Sequence, residues 1–242
     1  VIIANENYQE EVNVEFALND GMAFREYCIN LLGIPESNLH IRKDATLNNM
    51  LAEINWMQNI AKAYGAEARF IFYYAGHGMP DESNGTSYLL PVDGKSNIPA
   101  TGYSMSRLYA ELNGLNAACV TVLMDACFSG SKRGEGMLAS ARGVALKAKA
   151  EAPKGNMLVM TAAQGSETAY PYKEKKHGLF TYFLLKKLQE SKGKVTYGDL
   201  FDYVKMNVAQ KSVVVNEKSQ TPTIAVSGDL VSTWQGIRLN ED

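Results

Sequence analysis

The sequence is poor in the features that would place it outside ordinary soluble globular proteins. No apolar run approaches the roughly 18 to 20 residues needed to span a bilayer, and no charged-then-apolar leader opens the chain. The net charge of -2 and sequence pI near 6.0 leave no basic excess for nucleic acid or anionic lipid. With only three cysteines, Cys28, Cys119 and Cys127, and no CxxC pair, neither a disulfide framework nor a thiolate metal cluster is expected. Unpaired thiols point to a reducing, cytoplasmic setting. No internal repeat is found. Val1 already stands inside a strand-like run, so an upstream segment is expected to be missing, and with it any removed leader.

What is present is an alternation of apolar runs and helical patterns. At 242 residues with 46% hydrophobic and 21% charged content, one α/β domain is expected. VIIA (1–4), LHIR (39–42), ARFIFYYA (68–75), ACVTVLMDA (118–126), NMLVMTA (156–162) and TPTIAV (221–226) read as strands. Helices are predicted over 14–32, over 46–64 behind a Thr46 cap, near 178–190 and over 196–208. The longest strand runs are continuously apolar, as in parallel strands covered on both faces. The fold class is therefore α/β: a mostly parallel central sheet of about six strands with helices on both faces. Ligands in such folds gather at the carboxyl ends of the strands.

Two strand ends carry reactive residues. ARFIFYYA runs into GHG, Gly76 to Gly78, and ACVTVLMDA runs into CFSG. A thiol becomes a nucleophile when a base takes its proton, so Cys127 and His77 form a candidate couple. The glycines flanking His77 leave room for a substrate backbone, and the N–H groups of Gly78 and Cys127 would form an oxyanion hole. The other histidines are weaker candidates: His40 reads as a surface residue of a short strand, and His177 as a helix-entry residue. Cys28 and Cys119 read as structural. A redox role for Cys127 is disfavoured because no resolving cysteine lies near it in sequence. Strand periodicity puts Asp125 and Cys127 on one face, provided the strand extends that far.

FIFYYAGHG followed by VTVLMDACFSG closely resembles the caspase-like cysteine peptidases, in particular the bacterial metacaspase-like (orthocaspase) branch. The histidine and cysteine are 50 residues apart, a spacing typical of caspases. IIANENY resembles the family's first strand, ALNDG the start of its first helix, HGLFTYFLL the helix after the small-subunit strand, and QTPTI its closing segment. The resemblance implies a single caspase-like α/β/α domain over 1–242. Within it, 1–130 would form a large-subunit-like part, 131–155 a linker and 156–242 a small-subunit-like part.

The resemblance also implies roles. His77 would be general base and acid, and Cys127 the nucleophile of an acyl-enzyme, with no cofactor. An acid beside the nucleophile does not favour a thiolate, so Asp125 is better suited to receiving a substrate cation. With Asp20 it would line the primary specificity (S1) pocket for Arg or Lys at P1, the residue before the cut. Ala75 replaces a serine often found there in metacaspases. The plainer reading of Asp20 is helix capping or first-turn charge, and that of Asp125 a buried acid satisfied by backbone donors. No arginine matches the aspartate-binding pocket of animal caspases.

Many metacaspases need calcium, but residues 93–104 supply only Asp93, and the loop after Cys127 lacks the expected acid, so calcium independence is expected. The 131–155 segment holds six basic residues against two acidic ones and reads as a solvated loop. Alternatively, given the resemblance, it is a processing segment with self-cleavage sites at Arg142, Lys147 and Lys149. The implied partner is a peptide or protein substrate, and the implied state a monomer. Two rival readings are a catalytically silent caspase-like binding module and an aspartate-specific peptidase.

Overall fold

A computed structural model describes residues 1–80, 86–128, 152–165 and 167–240. In chain order the elements are β1 (Ile2–Ala4), α1 (Ala17–Asn30), β2 (Ile41–Lys43), α2 (Leu47–Tyr64), β3 (Arg69–Ala75), β4 (Gly78–Pro80), β5 (Ser87–Leu89), β6 (Tyr103–Ser104) and α3 (Met105–Asn113). They continue with β7 (Cys119–Asp125), β8 (Met157–Thr161), β9 (Pro171–Tyr172), β10 (His177–Gly178), α4 (Leu179–Ser191), α5 (Tyr197–Asn216) and β11 (Thr223–Val226). Short 3-10 turns link several of them.

The central sheet has six strands in the order β11-β8-β7-β3-β1-β2, all parallel except β11, which runs antiparallel to β8. Helices cover both faces, which is why β3 and β7 lack an alternating pattern. Tyr73, Ala75, Leu123 and Met160 face a core shared with α1, α4 and α5. Phe72, Tyr74, Val122 and Met124 face a second core under α2 and α3. A three-stranded antiparallel sheet, β4-β5-β6, and the two-stranded β9-β10 sit outside the main sheet. Among the described residues no helix is long and apolar enough to cross a membrane.

Thr46 caps α2 as expected, its hydroxyl accepting from Asn49 N–H (3.3 Å) while the Asn49 side chain accepts from Thr46 N–H (3.1 Å). Elsewhere the boundaries move. The first helix starts at Ala17 rather than 14, because Phe16 has φ 71°, a left-handed and non-helical conformation. β2 spans Ile41–Lys43, which leaves His40 outside it. That imidazole is not a simple surface group: Nδ1 bonds the buried Glu53 carboxylate (2.6 Å) and the ring stacks on Trp56.

α5 runs on to Asn216 because buried Val204, Val208 and Ser212 continue its inner face past residue 208. α3 is absent from the sequence reading although Met105, Leu108 and Leu112 mark its buried stripe. The strands of β4-β5-β6 are too short, two or three residues each, to produce a period-two signal.

Candidate active site

β3 and β7 pair in parallel from Arg69↔Cys119 to Ala75↔Asp125. Their next residues continue together, with Gly76 N–H donating to Asp125 O (3.3 Å). His77 and Cys127 each stand two residues beyond the Ala75↔Asp125 pair. They therefore leave adjacent strands, about 4.8 Å apart, at the same level. The strand ends at Asp125, yet the alternation persists: Ala126 packs with the α2 side of the core and Cys127 with the α1, α4 and α5 side. The expected shared face of Asp125 and Cys127 is present.

His77 is held from several directions. Its Nε2 lies 2.7 Å from the Val12 carbonyl, which can only accept, so the proton of the neutral ring sits on Nε2 and Nδ1 is left as the basic nitrogen. Its backbone N–H donates to Tyr8 Oη (2.8 Å), and its carbonyl accepts from Tyr74 Oη (2.8 Å). The Tyr8 ring packs against the imidazole at 4.7 Å between centroids. Burial drives the Tyr8 and Tyr74 phenols far above their ordinary range, so both stay protonated donors.

The flanking glycines are sterically required. A Cβ on Gly76 would fall 2.7 Å from both the Tyr8 and Tyr74 hydroxyls, and one on Gly78 would fall 2.6 Å from the Cys127 carbonyl. Leu90 N–H donates to His77 O (3.0 Å), making 77/90 a hydrogen-bonded pair and 78/89 a non-hydrogen-bonded one. Gly78 N–H thus points away from β5, towards the edge of β4 that no described strand pairs with.

The two acids converge on one element, the first turn of α4. Asp20 is fully buried and accepts from Gly178 N–H through both oxygens (3.1 and 2.9 Å) and from His177 Nδ1 (2.7 Å). Asp125, equally buried, accepts through Oδ2 from Thr181 N–H (3.1 Å) and Thr181 Oγ1–H (2.8 Å). Because Thr181 gives its proton to Asp125, the Tyr73 hydroxyl, 2.6 Å away, donates to Thr181. Ala75 is buried as the cross-strand partner of Asp125.

Of the sequence-derived candidates, His77, Gly78 and Cys127 come together at one pair of strand ends. Asp20 and Asp125 come together on α4, and Ala75 joins the two groups. Arg142, Lys147 and Lys149 lie outside the described residues, as does most of 131–155. Sequence reasoning missed Val12, Tyr8, Thr181 and Tyr170. The Tyr170 phenol is raised mainly by burial, with smaller contributions from the charges of Cys127 and Glu167. Cys28 is buried away from the site and its thiol is pushed up to about 12 by burial, so it is inert at neutral pH. Asp93, the acid in reach of a metal by sequence, accepts from Leu47 N–H (3.0 Å) at the start of α2. Among the described residues no three His, Cys, Asp or Glu side chains gather as a metal site.

The family model of the caspase domain matches residues 1–229. The chain belongs to the caspase-domain family. It is thereby a cysteine peptidase domain, a hydrolase whose substrates are peptides or proteins. Among solved structures, caspase-1 from Spodoptera frugiperda matches with a TM-score of 0.65 at 14% identity, over 94% of this chain and 85% of that one. At that identity the likeness establishes the caspase-like fold of this caspase-domain protein. No curated protein matches it significantly in sequence.

Proposed function

We propose that the protein is a metacaspase-like endopeptidase that cleaves after Arg or Lys by a Cys127–His77 dyad. The observation that carries this reading is the matched position of the two residues, with His77 Nε2 committed to the Val12 carbonyl and Nδ1 kept as base. In the first step Nδ1 takes the thiol proton, the Cys127 sulfur attacks the scissile carbonyl, and the oxyanion is received by the N–H groups of Gly78 and Cys127. Collapse expels the amine, protonated by His77, and leaves a thioester. Water, deprotonated by His77, then hydrolyses the thioester and frees Cys127.

Asp20 and Asp125 would form the acidic floor of S1, with Ala75 beside them. Two carboxylates attract a guanidinium or ammonium and repel aspartate, which argues against the aspartate-specific reading. The engagement of Asp93 at α2 supports activity without calcium. We read the enzyme as a cytoplasmic monomer that processes itself within 131–155.

The direct test is a panel of fluorogenic peptides with Arg, Lys or Asp at P1, assayed with calcium and with EGTA. Cleavage of the Arg and Lys peptides in both conditions is expected. Turnover of the Asp peptide alone would overturn the specificity, and silence on all three would make the domain a binding module.

A further inference from the structure

His177 is the one side chain of the acidic cluster that reaches solvent. Its side chain is 18% exposed whereas that of Asp20 is 0% exposed, and its Nδ1 is 2.7 Å from Asp20 Oδ1. It is also held firmly. β10 pairs His177 with Tyr172, the preceding Lys176 takes a left-handed turn (φ 56°), and Asn19 Nδ2 donates to the Lys176 carbonyl (2.6 Å). The imidazole is thus the partly exposed donor to a fully buried carboxylate, the kind of contact a P1 cation would make. Asp20 also accepts from Gly178 N–H, a backbone donor that does not depend on the identity of the side chain at 177.

We propose that His177 is a positioning residue that occupies Asp20 in the free enzyme and must yield it when a basic P1 side chain enters. The inference rests on Asp20 being an S1 acid. It deepens that reading by assigning the competitor that sets how tightly basic residues are held. Selectivity for Arg and Lys then reflects a difference between two bonds to one carboxylate, substrate to Asp20 and His177 to Asp20. A permanent cation at position 177 would compete harder, and a side chain without a donor would not compete.

The test uses the full chain with an Arg-P1 fluorogenic peptide, with active enzyme counted by Cys127 alkylation so that misfolded protein is excluded. His177→Ala is expected to lower KM roughly three- to tenfold, the scale of one charge-assisted hydrogen bond, with kcat nearly unchanged. His177→Lys is expected to raise KM by a similar factor, and His177→Gln, which keeps a donor, to restore KM towards wild type. With Asp20→Asn in the same background, these differences should vanish. Unchanged KM in both His177→Ala and His177→Lys, in an enzyme whose KM does rise on Asp20→Asn, overturns the role of His177. Unchanged KM and selectivity on Asp20→Asn itself overturns the S1 reading instead.

Discussion

Replacing His77 by alanine is expected to lower kcat/KM on an Arg-P1 peptide by about 10³-fold or more, the scale for losing a positioned base. Replacing Cys127 by alanine should leave no turnover, since a methyl group forms no acyl intermediate. The two variants differ in a second readout. His77→Ala keeps a thiol that still reacts slowly with iodoacetamide, whereas Cys127→Ala leaves only Cys28 and Cys119, both buried. The same proteins test self-processing. Wild type incubated alone should give two bands cut within 131–155, and Cys127→Ala a single intact one. Identical intact bands for both would remove the processing reading while leaving peptide cleavage standing.

The second large effect concerns Asp125. Asp125→Asn keeps the volume and an acceptor for Thr181 N–H but removes the charge. Cleavage after Arg and Lys should fall roughly 30-fold or more, as when one partner of a desolvated charge pair is neutralised. Most of the loss should appear in KM, with Cys127 still alkylatable. If selectivity and KM are instead unchanged while the melting temperature drops, Asp125 is only the acid that satisfies the first turn of α4. The geometry makes that a real alternative, because its Oδ2 already takes two bonds from Thr181.

How much of this was legible in the sequence follows from where each signal is written. The strands β3 and β7 announce themselves because both faces are largely buried and their residues are mostly apolar, without alternation. His77 and Cys127 stand out because each follows such a strand by two residues, the histidine between two glycines and the cysteine just ahead of a glycine-containing turn. Val12 left no trace: its carbonyl is the partner of His77, and a backbone acceptor has no residue-type signature. His177 and Thr181 sit in HGLFTYFLL, which reads as an ordinary helix start. Their partners Asp20 and Asp125 are 157 and 56 residues away, so only the folded chain joins them. α3 is a different case, since its buried positions 105, 108 and 112 do follow a helical spacing and could have been found.

The central step is attack by Cys127 on a carbonyl held in place by a basic P1 residue. Peptidyl chloromethyl ketones alkylate a thiolate only once the pocket has placed their P1 residue, so intact mass and peptide mapping after treatment read nucleophile and specificity together. One adduct per chain is expected, on Cys127, with an Arg reagent and none with an Asp reagent at the same concentration. An adduct formed faster with the Asp reagent, or one found on Cys28 or Cys119, would contradict it.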